Sequence, residues 1–340
     1  MNTLLEVKNL SIGIRKGKEI LSAVDNISFT VEAGEIVGIV GESGCGKSLT
    51  ALSIPSLLSQ GAERTGGSIR FNDLELSNLS PEEMQHIRGN DLSMVFQEPQ
   101  SSLNPLLKIG AQIAEPLTIH GEKDKAFIHS RVIDLMEKLG LSDPEKLLSV
   151  YPHQLSGGMC QRVMIALAVI CKPKLLIADE PTTALDVTIQ VQILELLKKI
   201  NTELGTSILF ISHDLSVISR LCDRVLVMYA GKIVESGRVR EVFTNPVHEY
   251  TRGLLGSIPD RTRKGKPLAS IPGKVPSLEE GRPAGCPFNP RCSKAVKQCR
   301  NSFPAEADLG GGHRVHCVLA EQAAEYSVKL PAEKEGTHGD

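Results

Sequence analysis

The segment Gly41-Glu42-Ser43-Gly44-Cys45-Gly46-Lys47-Ser48 follows an apolar run, Glu35–Val40, and precedes a stretch with helical character. A loop of the form G-x-x-x-x-G-K-S in that strand-to-helix context cradles phosphate, and it commits the chain to an α/β sheet. The glycines let the backbone curl so that successive N–H groups point inward, and the helix that follows adds the positive end of its dipole. On this reading Gly41, Ser43, Gly44, Cys45, Gly46, Lys47, Ser48 and Leu49 line a nucleotide site. Lys47 reaches the β- and γ-phosphates, and the Ser48 hydroxyl binds Mg²⁺. A thiol beside a helix N-terminus is acidified, so Cys45 is expected to alkylate readily and to be protected by MgATP.

Leu175-Leu176-Ile177-Ala178-Asp179-Glu180 supplies the second half of such a site. An apolar strand ending in two carboxylates places them at the carboxyl edge of the sheet, where open α/β folds bind ligands. Asp179 suits Mg²⁺, directly or through water, and Glu180 suits the polarisation of an attacking water. Further buried strands are predicted at Leu92–Phe96, Ser207–Ile211 and Val225–Met228. Val187–Leu204 sets Val187, Val191, Leu194, Leu197, Ile200 and Leu204 at three- and four-residue steps, which predicts an amphipathic helix. This strand–helix alternation implies a parallel sheet covered by helices. Leu4 to Val31 reads instead as antiparallel strands, and Tyr229-Ala230-Gly231-Lys232 as a hairpin turn.

At 340 residues, with 41% hydrophobic and 23% charged side chains, the chain has room for one large domain and a smaller one. A net charge of −2 gives no sign of nucleic-acid binding. The N-terminus lacks a signal-peptide pattern, and no apolar run approaches the roughly 18 residues of a membrane span. Work at a membrane is therefore expected of a peripheral subunit. Composition shifts near Ser257, after which Pro259, Pro267, Pro272, Pro276 and Pro283 forbid a long helix. The expected division is 1–256 as the main domain, 257–284 as a proline-rich linker, 285–320 as a cysteine module and 321–340 as a polar tail. Cys286, Cys292, Cys299 and Cys317 are separated by five, six and seventeen residues, unlike the C-x₂-C pairs of structural zinc. Four thiolates can hold a 4Fe–4S cluster at varied spacings, and a metal centre would hold together a module with few large apolar residues. Zinc, with His313 or His316 as a ligand, and free thiols are the alternatives.

Leu155-Ser156-Gly157-Gly158-Met159, just ahead of the Asp179–Glu180 strand, resembles the signature sequence of ABC ATPases. The resemblance implies a P-loop ABC ATPase fold: a parallel core, an N-terminal antiparallel β subdomain and a helical subdomain. It also implies that this signature meets the γ-phosphate held by a second subunit, two ATPs being sandwiched head to tail. Gln97 after Val95-Phe96, Ala184-Leu185-Asp186, and His213 at a strand end follow in the family's order. By resemblance Gln97 links the Mg²⁺ site to the membrane partner, Asp186 crosses the dimer interface, and His213 contacts the γ-phosphate. The family's adenine-stacking aromatic falls on Ile14, which can cover the base but without a π contribution. Cys160 stands where the family more often has a polar residue.

A narrower resemblance runs from about Leu4 to Cys317. Phe96-Gln97-Glu98-Pro99 with Ser102-Leu103-Asn104-Pro105, Tyr151-Pro152-His153-Gln154, and Pro181-Thr182-Thr183 through Asp186-Val187-Thr188 are similar to the peptide/nickel importer group. Asn289-Pro290-Arg291-Cys292 resembles the cysteine extension of dipeptide and oligopeptide ATPases, which favours iron–sulfur over zinc. The resemblance implies the first of two ATPase subunits of a dipeptide-type importer, at the cytoplasmic face of the inner membrane. Its partners would be a homologous second ATPase, two permeases and an extracytoplasmic solute-binding protein. Nickel, glutathione or a sugar could replace the peptide. An ABC ATPase acting on ribosomes or DNA is a weaker alternative, because the chain has one cassette and no sustained heptads.

Overall fold

The computed structural model describes residues 2–183, 185–258 and 270–320. Strand β1 (Thr3–Lys16) pairs antiparallel with β2 (Glu19–Glu32) and leads to β3 (Ile36–Val40), the phosphate loop and helix α1 (Lys47–Ser53). Then come β4 (Ala62–Phe71), β5 (Leu74–Glu75), α2 (Pro81–Ile87) and β6 (Leu92–Val95). A helical arm follows: α3 (Pro99–Ser102), α4 (Ile109–Ile119), α5 (Lys125–Lys138), α6 (Pro144–Leu147) and α7 (Gly157–Val169). The chain then runs through β7 (Leu175–Asp179), α8 (Val187–Leu204), β8 (Ser207–Ser212), α9 (Leu215–Leu221), β9 (Arg224–Tyr229) and β10 (Lys232–Arg238). It ends with α10 (Val239–Thr244), α11 (Glu249–Gly256), α12 (Lys297–Asn301), β11 (Ala307–Asp308) and β12 (Arg314–Val315).

Two sheets result. The order β2-β1-β4-β5 makes an antiparallel sheet, and β11-β12-β10-β9-β3-β8-β7-β6 makes the main one, parallel from β9 to β6. Strands β3, β7 and β8 are buried along their whole length, as parallel strands covered on both faces must be. Alternation along β1 is broken by register shifts between Val7 and Leu10 and between Leu10 and Ile12, where Asn9 adopts a φ of 51°. Such bulges explain why only a partial two-residue period is visible there. The β9–β10 turn places both Ala230 and Gly231 at positive φ, 44° and 79°, as a tight hairpin requires.

Two expectations need correction. Helix α8 has the predicted bounds, but its buried face is Ile193, Leu194, Leu196, Leu197 and Ile200, while Val187 is 76% exposed. The three- and four-residue steps from Val187 trace a stripe that the first turn does not use. Cys45 is also not the accessible, acidified thiol expected. It has no exposed surface and packs in the core beneath the loop, and burial raises its pKa against the partial offset of Lys47. Of the proline-rich connector, residues 259–269 lie outside the described residues, as do Ala184 and the tail from 321.

The C-terminal segment is joined to the main sheet. Strand β12 pairs with β10 through Glu235 opposite Val315 and Ser236 opposite Arg314, and Cys286, Phe288 and Cys299 enter the main core. Glu235, 1% exposed, takes the backbone N–H groups of Val247 at 2.8 Å and His248 at 3.1 Å and the Nε2 of His313 at 2.9 Å. His248 caps α11 by accepting the Tyr250 N–H at Nδ1, 3.2 Å away. Burial lowers the His248 pKa from 6.5 to about 4, with Glu235 opposing.

Two outcomes follow from these buried groups. Iodoacetamide should modify Cys45 slowly in the folded chain and equally slowly with MgATP present, which peptide mass mapping would read; rapid labelling would contradict the burial. Because His248 is neutral in the fold and protonates near pH 6.5 when unfolded, its contribution is intact above that pH and declines as pH falls towards 4. The full decline is on the order of 3 kcal/mol. Urea unfolding at pH 7 and pH 5 should show it, and His248→Asn, which keeps a capping acceptor, should flatten the dependence. An equally steep pH dependence in the variant would remove His248 as its source.

Candidate functional site: a phosphate loop and its carboxylates

The loop between β3 and α1 lies at the carboxyl ends of the parallel strands. Gly44 and Gly46 hold φ of 80° and 104°, a conformation that side chains resist, and this lets the backbone curl. Lys47 is 4% exposed, and its Nζ donates to the carbonyls of Gly41 at 2.8 Å and Glu42 at 3.2 Å. The ammonium thus sits across the loop it would share with a phosphate. Ser48 Oγ donates to Asp179 Oδ1 at 3.1 Å, which joins the start of α1 to the end of β7. Asp179 is 5% exposed, and burial raises its carboxyl pKa above the ordinary value. A buried carboxylate beside a hydroxyl suits a hard divalent cation with oxygen ligands, so the pair fits Mg²⁺.

Glu180 gathers the rest of the site. Its Oε2 accepts from Thr183 Oγ1 at 2.9 Å, lies 3.0 Å from His213 Nδ1, and accepts from Gln97 Nε2 at 3.4 Å. Its Oε1 stands 4.0 Å from Lys47 Nζ. The Glu180 backbone has a φ of 46°, in the left-handed region, at a cost on the order of 1 kcal/mol. Its N–H donates to Ile211 O at 3.0 Å, which fixes it at the edge of β8. Four residues from separate motifs therefore converge: Gln97 after β6, Glu180 after β7, His213 after β8, and Lys47 in the loop. Gln97 donates to Glu180, the residue next to Asp179, while Ser48 and Asp179 bond to each other.

The remaining candidates lie outside this cluster. Ser156 caps α7 by accepting the Met159 N–H at 3.3 Å, with Leu155 just before it. Among the described residues a methyl group on Gly157 would meet nothing within 4 Å, while one on Gly158 would meet Ile189 at 3.0 Å. Asp186 caps α8 through the Ile189 N–H at 2.9 Å and is exposed. Ile14 pairs across the sheet with Leu21 and Ala62 and is half-buried.

The expected iron–sulfur centre is corrected. Cys286, Cys292, Cys299 and Cys317 line one cavity, but that cavity is about 10 Å³, room for a single water and not for four irons and four sulfides. Among the described residues no group of three or more His, Cys, Asp or Glu is arranged to hold a metal ion. Burial raises the thiol pKa to about 12 at Cys286 and about 11 at Cys317. Cys286 Sγ lies 3.7 Å from His248 Nε2, and its N–H donates to Cys299 O at 2.8 Å. The four are free thiols packed together, and no iron–sulfur centre is supported.

Sequence reasoning missed three participants: Thr183 on Glu180, and Tyr250 and Arg291 on Glu42. Thr183 could have been found from its place three residues after the carboxylate in a turn. Tyr250 and Arg291 carry no local signal, since each meets the loop only through tertiary packing.

Comparison with known proteins agrees with this geometry. The ABC transporter family matches residues 24–183, and the C-terminal region of oligopeptide/dipeptide transporters matches residues 234–299. The oligopeptide transport ATP-binding protein AppD of Bacillus subtilis is 48% identical over 323 residues, covering 95% of this chain and 98% of that one. The dipeptide transport ATP-binding protein DppD of the same organism is 45% identical over 329 residues, covering 96% and 98%. A dimeric ATP-binding cassette, MJ0796, solved in a post-hydrolysis state with ADP and Pi, superposes with a TM-score of 0.63 at 30% identity. It covers 70% of this chain and 99% of that chain. Identity of this order along nearly the whole length, on top of the converging loop, carboxylates and signature, places the chain in the oligopeptide/dipeptide family of ABC transporter ATP-binding proteins, and it is an ABC-type ATPase.

Proposed function

We propose that this ATPase powers import of oligopeptides or dipeptides through a membrane transporter. The observation that carries the reading is identity of 45–48% to peptide-transport ATP-binding proteins across at least 95% of the chain, the C-terminal region included. No helix among the described residues is long and apolar enough to cross a membrane, and two permease subunits would carry the solute pathway. A homologous second ATPase and an extracytoplasmic solute-binding protein complete the assembly, with this chain the first ATPase subunit, peripheral at the cytoplasmic face. The nucleotide-binding domain is taken as residues 1–256 and the C-terminal module as 285–320, the segments between and after them serving as linker and tail.

The geometry of the loop and its carboxylates supports the roles at the phosphates, and the family resemblance those at the interface and the base. Phosphoryl transfer asks for positioning and charge neutralisation more than covalent chemistry. Lys47 and the loop N–H groups would hold the β- and γ-phosphates, with Gly41, Ser43, Gly44, Cys45, Gly46 and Leu49 supplying backbone around them. Ser48 and Asp179 would hold Mg²⁺, which supplies charge neutralisation at the phosphates. Glu180 would orient the water, held in place by Thr183, Gln97 and His213. Leu155 through Met159 would face the partner's ATP, where the open space at Gly157 admits a close approach. Asp186 would lie at the same interface, and Ile14 would cover the base.

The substrate reading is tested by purifying the complete transporter with its binding protein and identifying the bound solute by mass spectrometry. Peptides support it; nickel, glutathione or a sugar would overturn it. For the catalytic assignment, Glu180→Gln should retain ATP binding while lowering hydrolysis at its own site by about 10²- to 10⁴-fold, the range for general-base loss. Half the activity would remain where the partner's site is intact. Full turnover in the assembled transporter would refute the role.

A further inference from the structure

Glu42, the second residue of the phosphate loop, is held by groups far from it in sequence. Its backbone N–H donates to Tyr250 Oη on α11 at 2.8 Å. Its carboxylate takes a two-point bond from Arg291 in the C-terminal module, Nη1 to Oε2 at 2.8 Å and Nη2 to Oε1 at 3.2 Å. Its carbonyl accepts from the Lys47 ammonium at 3.2 Å and from the Cys45 N–H at 3.3 Å. The residue whose carbonyl Lys47 rests against is thus the residue whose carboxylate the module grips.

Arg291 is itself firmly placed. Its Nε donates to Pro272 O at 2.7 Å, and its guanidinium carbon lies 5.7 Å from the Tyr229 ring centre and 5.8 Å from that of Phe288. Only 5% of its side chain is exposed. An exposed ion pair contributes little, but a covered, forked guanidinium–carboxylate pair specifies geometry and is costly to break from one side. Among the described residues no hydrogen bond joins Arg291 to the Ser48–Asp179 pair or to the cluster around Glu180, and Glu42 reaches that cluster only through its carbonyl on Lys47.

We infer that Arg291 is a positioning residue for nucleotide binding: through Glu42 it sets the loop peptide that orients Lys47, and it thereby ties ATP affinity to the seating of the C-terminal module. The inference rests on the phosphate loop being the nucleotide site.

The test measures MgATP dissociation constants and hydrolysis at saturating MgATP on the full-length chain. Arg291→Gln should weaken MgATP binding roughly three- to tenfold, inside the range of coupling energies carried through packed contacts. Hydrolysis at saturation should stay within about twofold, because the lost interaction acts on binding. Arg291→Lys keeps the charge but not the fork and should recover part of the affinity. Glu42→Gln should match Arg291→Gln, and the double variant should be no weaker than either, since both remove one pair. Lys294→Ala breaks the module's own 2.9 Å contact to Glu249 and should leave the affinity unchanged. Wild-type affinity in Arg291→Gln, with Lys47→Ala impaired, overturns the inference while sparing the loop assignment. Losses that add in the double variant, or an equal loss in Lys294→Ala, also overturn it. Normal binding in Lys47→Ala removes the loop assignment and the inference with it. Should Arg291→Gln fail to fold, Glu42→Gln, on the 32% exposed partner, carries the test alone.

Discussion

The architecture depends on how closely the phosphate loop lies against the β9–β10 turn. A methyl group on Gly41 would stand 2.1 Å from the Met228 carbonyl oxygen, so no other residue fits without moving a central strand. From there the Gly231 N–H donates to Cys45 O at 2.8 Å, and the Gly231 carbonyl accepts from the Asp25 N–H at 3.0 Å. Loop, hairpin and N-terminal sheet are pinned at one point. The same turn needs positive φ at two successive residues, which is why Ala230 and Gly231 are small. The conformation that makes the loop a cradle is therefore imposed from outside as much as by its own glycines.

What could be read from the chain in advance was whatever local chemistry determines. The parallel strands announce themselves because they are apolar along their whole length, and the carboxylates because they end such a run. Glu180, His213, Gln97 and Lys47 were identifiable singly, and the fold explains their convergence by placing each just beyond a neighbouring strand. Two kinds of property were not legible. Burial depends on what packs from elsewhere: Cys45 is covered by tertiary contacts, and Val187 is left bare by them. The four C-terminal cysteines misled for a related reason, since their spacing says nothing about how tightly Phe288, His248 and the rest of the core close around them.

The C-terminal segment illustrates how a stretch with few large apolar residues stays ordered. It borrows a strand partner from β10 and lends Phe288 to an aromatic group with Tyr229 and Tyr250, ring centres 5.2 and 5.4 Å away. Edge-to-face packing of this kind adds to simple area burial. Its polar anchor, Glu235, has its donors supplied by Val247, His248 and His313, so the buried carboxylate does not stand unpaired. An aromatic seam and one satisfied acid supply what a small independent core could not.

The left-handed backbone at Glu180 bears on how such a chain can change over generations. Glycine or asparagine would occupy that conformation at lower energy, so a population selected for thermal robustness alone would drift towards them. Glutamate persists there only where another pressure outweighs its discomfort. A copy of this fold with glycine or asparagine at position 180 would relieve that backbone conformation while keeping its shape.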